Sequence, residues 1–322
     1  MRLSAVTMQQ RGSIHAANHA ITMNAMTSEN PTLGFIGLGV MGEPMCRNLI
    51  EKSSGVSGVC VFDLNPEPVS RLAETGATAA DSIAQIAGSV DILFLSLPGG
   101  AEVDTVLNAT DGVFAHARAG LIVVDLSTSE VGLTRRLAST AADQGFRYAD
   151  APVARTRQAA ISGTLAIMVG SDKPLYDTIK PYLDCMASDI SHCGEAGAGQ
   201  MVKILNNMVL FQTVLGLSEA LTMARRAGLD GEVLFDALGK GSANSFALQN
   251  HGVKALLPGD YPEQAFSTRY ARKDLLYALQ LAQDTGTETP GATTVLDIFE
   301  RAIDSGHGDQ YWPALMHVID SE

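Results

Sequence analysis

The feature that most constrains this chain is a glycine pattern, Gly37-Leu38-Gly39-Val40-Met41-Gly42, set directly on the apolar run LGFIG (33–37). A GxGxxG that follows a strand and opens a helix has a specific physical use. The first glycine permits a tight turn, the second lets the backbone approach a pyrophosphate, and the third allows close helix–strand packing. The helix N-terminus then presents unpaired N–H groups and the positive end of its dipole. The motif gains weight from Asp63, which closes the next apolar run, VCVFD, 26 residues beyond Gly37. A carboxylate there accepts hydrogen bonds from both ribose hydroxyls of an adenosine and repels a 2′-phosphate. No basic residue follows it in Leu64-Asn65-Pro66-Glu67, so NAD is expected over NADP. The alternative is that the glycines only turn the chain and Asp63 caps a helix.

The rest of the N-terminal half fits that start. Short apolar runs recur at GVCVF (58–62), VDILFLSL (90–97) and LIVVDL (121–126), each bounded by Gly, Asp or Pro. Runs that are apolar throughout are those of parallel strands covered on both faces. Helical stretches near 41–52, 66–75, 81–88, 102–107 and 129–144 alternate with them. Such alternation predicts an α/β fold with a doubly wound parallel sheet. FRYADAPV (146–153) and TLAIMVG (164–170) are expected to extend the sheet. After GEAGAGQ (194–200) the strand pattern ends, and an apolar-rich helix is expected from about Gly199 to Ala227. Lys203, Asn206, Asn207, Gln212 and Glu219 interrupt it, which argues for a buried helix over a membrane span. Three segments result: 1–31, a disordered or over-long start; 32–195, a Rossmann dinucleotide-binding domain; and 196–322, an all-helical substrate and dimerisation domain entered by the long helix. Residues 1–26 hold no acid and carry Arg2 and Arg11, so a transit peptide is the other reading of that start.

Composition excludes several function classes. The formal net charge of −13 on 322 residues repels nucleic acid and anionic lipid, so neither is expected as a partner. Four cysteines stand far apart without metal-ligand spacing, as expected of reduced thiols in a cytoplasmic protein. His192 adjoins Cys193 but lacks a third ligand nearby, and no metal is expected.

The chemistry is expected on the long helix. Lys203 and Asn207 stand four residues apart and share a face, with Asn206 beside them. A lysine in an apolar helix needs a partner or a function. Beside a nicotinamide its ammonium could stabilise negative charge developing on a carbonyl oxygen and supply the proton, while Asn206 and Asn207 orient substrate or lysine. The alternative is a lysine that snorkels to the surface with the asparagines on an exposed stripe.

The chain resembles the β-hydroxyacid dehydrogenase family, which includes 3-hydroxyisobutyrate dehydrogenase and tartronate semialdehyde reductase. The segments that carry the resemblance are GFIGLGVMGEPM (34–45), FLSLPGG (94–100), VDLST (124–128), DAPV (150–153), GTLAIMVG (163–170), GAGQMVKILNN (197–207) and RKDL (272–275). It implies that Lys203 is catalytic and Asn207 positions substrate. It also implies that Val40 and Met41 line the pyrophosphate turn, Asp63 binds ribose, and Leu97, Thr128 and Lys273 approach the cofactor. A homodimer or homotetramer is implied as well.

One segment departs from the family. Most members continue DAPV with Ser-Gly-Gly, whose hydroxyl and amides bind the substrate carboxylate; this chain has Ala154-Arg155-Thr156-Arg157. A guanidinium binds a carboxylate or sulfonate by two parallel hydrogen bonds. The segment is similar to the Gly-Arg-Thr-Ser of 3-sulfolactaldehyde reductases, so Arg155 and Thr156 are expected to bind a substrate anion. The alternative for Arg155 is a surface arginine paired with an acid. The resulting expectation is an NAD-dependent oxidoreductase interconverting a small anionic aldehyde, of the sulfolactaldehyde or succinic semialdehyde type, with its hydroxy acid. The other readings are 3-hydroxyisobutyrate dehydrogenase or tartronate semialdehyde reductase activity, an imine reductase and a non-catalytic nucleotide-binding scaffold. Lys203 speaks against the last two.

Overall fold

The computed structural model describes residues 30–263 and 265–320, so the expected character of the first 29 residues lies outside the described residues. Six strands, β1 (Thr32–Ile36), β2 (Gly58–Phe62), β3 (Thr78–Ala79), β4 (Ile92–Leu95), β5 (Ile122–Asp125) and β6 (Arg147–Asp150), pair in parallel in the order 3-2-1-4-5-6. This is the doubly wound arrangement, with its topological switch between β1 and β4.

Alternation along the central strands explains why both faces carry helices. Leu33, Phe35, Ile92, Phe94, Ile122 and Val124 point to one face and meet Met45 and Leu49 of α1 (Gly42–Lys52), Leu72 of α2 (Pro66–Ala73) and Leu175 and Ile179 of α8 (Lys173–Leu183). Ile36, Leu93, Leu95 and Val123 point to the other. There they meet Ile86 of α3 (Ile83–Ala87), Val103 and Leu107 of α4 (Gly100–Asn108), Phe114 of α5 (Val113–His116) and Leu137 of α6 (Val131–Asp143). A sheet buried on both sides needs such uniformly apolar strands.

Beyond β6 the sheet continues in a different sense. β7 (Val153–Ala154), the short α7 (Arg157–Ser162) and β8 (Leu165–Gly170) follow, with β8 antiparallel to both β6 and β7. A ninth strand, β9 (Ala187–Gly194), lies parallel to β8. Its sequence, ASDISHCG, is polar and mostly half-buried or exposed, so no apolar run marks it.

The helix α9 (Ala198–Arg226) is 29 residues long and apolar enough by length and composition to cross a membrane. One apolar side of it is instead core. Phe211, Val214, Leu217 and Leu221 pack with Phe235 of α10 (Gly231–Lys240), Leu275 of α11 (Thr268–Thr285), and Val295 and Phe299 of α12 (Pro290–Ala302). Trp312, the only tryptophan, sits 1 % exposed with its ring centroid 4.9 Å from that of Phe211. A nine-residue π-helical segment, Leu248–Leu256, closes one side of this core.

Where α9 begins, backbones nearly touch. A Cβ on Gly199 would lie 2.8 Å from Asp150 Oδ2 and 2.9 Å from the Gly170 nitrogen, and it would also collide with the Met168 carbonyl. Neither backbone can yield, so only glycine fits. Gly199→Ala is expected to destabilise the protein by about 1–3 kcal/mol, measured as a lowered denaturation midpoint. A midpoint equal to that of the parent would show that this junction is looser than its geometry.

Candidate active site

The dinucleotide cradle is built where β1 and β2 end. Gly37 adopts φ +93°, in the left-handed region, and its N–H donates to the Phe62 carbonyl (3.1 Å). Asp63 follows β2 and accepts from the Leu38 N–H (2.5 Å) and the Asn65 N–H (2.7 Å). The cap of α2 is Asn65, whose side chain accepts from the Glu67 N–H, so Asp63 ties β2 to the glycine turn and is not a helix cap.

These residues fit a pyrophosphate by an observation independent of the motif. Nothing lies within 4 Å of the position a Cβ on Gly39 would take, Val40 is 56 % exposed, and Met41 leads into α1 with no side chain capping its first amides. An open space bounded by uncapped helix amides is what a phosphate group needs. Leu97 follows β4, its N–H donating to Ser127 Oγ (2.9 Å). Lys273 reaches over from α11 and donates to the carbonyls of Pro98 (2.9 Å) and Thr128 (3.4 Å). Leu97, Thr128 and Lys273 therefore gather at the loops after β4 and β5.

Lys203 does not snorkel. It is 9 % exposed, and its ammonium donates to Asn207 Oδ1 (3.1 Å). Asn207 in turn donates to Asp274 Oδ2 (2.7 Å), while the other carboxylate oxygen of Asp274 stands 3.2 Å from Lys273 Nζ. Asn206 donates to Asn207 Oδ1 (3.1 Å) from the exposed side of α9. Burial pushes the Lys203 ammonium below the usual lysine range; the Asp274 carboxylate opposes that shift and the charge of Lys273 adds to it. Lys203, Asn206, Asn207 and Lys273 thus form one connected group through Asp274. Reading RKDL for its lysine alone overlooked this acid.

Two more carboxylates organise the site from beneath. Asp125 and Asp150 face each other across β5 and β6, and both are fully buried. Asp125 accepts from the Ser127 N–H (2.9 Å) and the Tyr148 hydroxyl (3.0 Å), which shapes the loop that carries Thr128. Asp150 accepts from the N–H groups of Gly197 (2.6 Å) and Gln200 (2.7 Å) at the start of α9. Gln200 then bridges to the same loop, donating to the Ser127 carbonyl (2.7 Å) and accepting from the Ser129 N–H (3.0 Å). Asp125, Asp150 and Gln200 lie inside the segments VDLST, DAPV and GAGQ, yet spacing alone gives no sign that they meet.

The anion segment stands apart from this group. Arg155 is the only non-glycine residue with positive φ (86°) among the described residues. Its guanidinium donates to the Thr164 carbonyl (2.6 Å), Ser188 Oγ (2.8 Å) and Asp189 Oδ2 (2.7 Å), so it is paired with an acid of β9. These bonds lead to the β9 edge of the sheet and not to Lys203 or the asparagines. Thr156 is exposed just before α7 and makes no side-chain capping bond. His192 hydrogen-bonds the Ser171 carbonyl (2.8 Å) with its ring 4.8 Å from that of Tyr176. Among the described residues no group of three or more His, Cys, Asp or Glu is placed to hold a metal ion.

Comparison with known proteins bears on the family of the chain. Residues 32–194 match the model of the NAD binding domain of 6-phosphogluconate dehydrogenase. Residues 197–319 match that of the NAD-binding domain of NADP-dependent 3-hydroxyisobutyrate dehydrogenase. The 2-(hydroxymethyl)glutarate dehydrogenase of Eubacterium barkeri is 36 % identical over 286 residues, covering 89 % of this chain and 94 % of the relative. The 3-hydroxyisobutyrate dehydrogenase of Pseudomonas aeruginosa is 34 % identical, covering 83 % and 90 %. A solved structure of Mycobacterium tuberculosis 3-hydroxyisobutyrate dehydrogenase with L-serine superposes with a TM-score of 0.81 at 32 % identity, covering 90 % of this chain and 99 % of that one. With family models spanning both halves and relatives above 30 % identity along nearly their whole length, the chain belongs to the β-hydroxyacid dehydrogenase family, nicotinamide-dependent oxidoreductases acting on CH–OH groups.

Proposed function

We propose that this protein interconverts a small anionic hydroxy acid and its aldehyde with NAD, and that Lys203 moves the proton at the substrate oxygen. The observation that carries this reading is the buried Lys203 ammonium, linked through Asn207 and Asp274 to Lys273 at the cofactor loops. Bound nicotinamide supplies the hydride to the carbonyl carbon, or takes it from the carbinol. In reduction the Lys203 ammonium donates a hydrogen bond to the carbonyl oxygen and gives up its proton as charge gathers there. In oxidation the neutral amine takes the proton from the hydroxyl. Burial lowers the lysine pKa and so favours the neutral amine relative to a free lysine, with oxidation gaining and reduction losing as pH rises. Asn207 holds the amine in place and Asn206 stands beside it for a polar group of the substrate.

For the substrate anion, Arg155 and Thr156 are the candidates. A side chain held at positive φ is strained, and strain of this kind collects at functional segments. The relative named for 2-(hydroxymethyl)glutarate, a dicarboxylate, favours a substrate with a second acid group over 3-hydroxyisobutyrate. Sulfolactaldehyde and succinic semialdehyde carry one anion each, set two carbons from the aldehyde where methylmalonate semialdehyde has one. The cleft is taken to lie between residues 32–195 and 196–322. Val202, Leu205, Val209 and Met223 on one exposed side of α9 are apolar, and a homodimer or homotetramer would cover them.

Three outcomes test this reading. Lys203→Ala should lower kcat about 10²–10⁴-fold in steady-state assays while NADH affinity, followed by fluorescence, stays close to that of the parent; unchanged turnover sinks the role of the lysine. Arg155→Ala should raise KM about 10–100-fold for sulfolactaldehyde or succinic semialdehyde and leave methylmalonate semialdehyde unaffected. An equal effect on all three would return Arg155 to a structural pairing with Asp189. Asp63→Ser should weaken NADH and strengthen NADPH by about tenfold each, read by titration; a variant with unaltered preference would place cofactor selection elsewhere.

A further inference from the structure

The carboxylate of Asp150 has no part in the proton transfer just described, yet it holds the helix that carries it. It lies at the end of β6 and receives two short N–H bonds, from Gly197 and Gln200, at the first turn of α9. Gln200 is one turn before Lys203 on the same helix, and both polar ends of its side chain are spent on the loop of Ser127 to Ser129. Gly170 and Gly199 leave no slack at this point, since a Cβ on Gly170 would stand 2.8 Å from the Gly199 nitrogen. One acid thus sets the register of α9 against the loop that bears Thr128 and receives Lys273.

We propose that Asp150 is a positioning residue for Lys203 that acts through its negative charge: ionised Asp150 holds α9 in the productive register through two charge-assisted bonds, and protonated Asp150, still buried in the folded chain, holds that register less strictly. The proposal rests on the role given to Lys203 above. N–H bonds to a carboxylate are roughly twice as strong as those to a neutral acceptor, and the amides at a helix start favour an anion. A shift of about 1 Å in a reacting group can cost about 100-fold in rate.

The groups that face Asp150 come from each neighbouring element. Asp125 of β5 and the phenol of Tyr148 lie beside it, and Cys193 of β9 feels its charge. The amides of Gly197 and Gln200 come from α9, and the stem of Arg135, from α6, packs on Gly197. Burial dominates and pushes the Asp150 carboxyl up to about 6; the two amides oppose that shift and the charge of Asp125 adds to it. The folded chain therefore takes up this proton at a higher pH than the unfolded one. The stability this group contributes is greatest at low pH and is lost as pH rises through about 6. Activity moves the other way, which separates positioning from mere structural support.

The test is the pH profile of the full-length enzyme with NADH and the best aldehyde of the panel, in parent, Asp150→Asn and Lys203→Ala. The parent should lose kcat on the acid side with an apparent pKa near 6, without a parallel fall in its melting temperature. Asp150→Asn keeps one of the two acceptor oxygens, sets an NH2 against the other amide N–H as a neutral side chain must, and removes the charge. It should lower kcat about tenfold or more at pH 8, leave KM and NADH affinity nearly unchanged, and abolish the acid limb. Asp150→Asn with parent kcat and an intact acid limb would overturn the proposal. If Asp150→Asn fails to fold, carbon-13 titration of the Asp150 carboxyl in the parent decides. A midpoint that coincides with the acid limb supports the proposal, and one that differs from it, or an absent limb, overturns it. An active Lys203→Ala would instead overturn the reading on which the proposal rests.

Discussion

The contact on which the active-site geometry depends is the meeting of a buried carboxylate with the start of a helix. Asp150 ends β6, the last strand of the 3-2-1-4-5-6 parallel set, and α9 begins on top of it, with two amide hydrogens aimed at its oxygens. Burying a carboxylate is costly, and here only backbone N–H groups and a helix dipole offset the loss of water. Because the partners are backbone atoms, they cannot rotate away as a side chain could. The strand-borne cofactor loops and the helix-borne lysine are thereby held in one frame. Gln200 repeats the connection one step away, donating to Ser127 and accepting from Ser129.

The cofactor side follows a similar logic with a different acid. Asp63 receives the Leu38 and Asn65 amides, which fastens the glycine turn to the end of β2. In each case a carboxylate at a strand end organises backbone donors, and the reactive groups are arranged around it. Lys273 closes the arrangement from above by donating to the carbonyls of Pro98 and Thr128 while paired with Asp274. Asp150 at its start and Asp274 beside Asn207 thus flank the helix that carries Lys203, whose burial pushes its ammonium below the usual lysine range.

The readability of each element followed from its environment. The central strands could be read because burial on both faces demands uniformly apolar residues, and the glycine turn because its backbone conformation excludes side chains. β9 could not, because a polar edge strand such as ASDISHCG has no pattern to distinguish it from a loop. Lys203 and Asn207 shared a face by helical spacing, and the structure joins them by a hydrogen bond. Asp274 escaped notice because its partner Asn207 lies 67 residues earlier, on another helix. Arg155 was open to two readings, anion ligand or surface ion pair, and its bonds to Asp189 and Thr164 express a choice among neighbours that local sequence does not contain.

The sequence by itself determined the doubly wound sheet, the all-helical second half, the dinucleotide turn and the family. Periodicity, glycine placement and motif order are local properties of the chain, and they survive without coordinates. Tertiary structure alone decided which acids meet which amides. It decided that Lys203 is buried and not exposed, and that Asp125 and Asp150 stand side by side beneath the site. The physical reason is that burial and charge pairing depend on distance in space, and residues such as Asp150, Gln200 and Asp274 become neighbours of the site only after the helix has docked on the sheet.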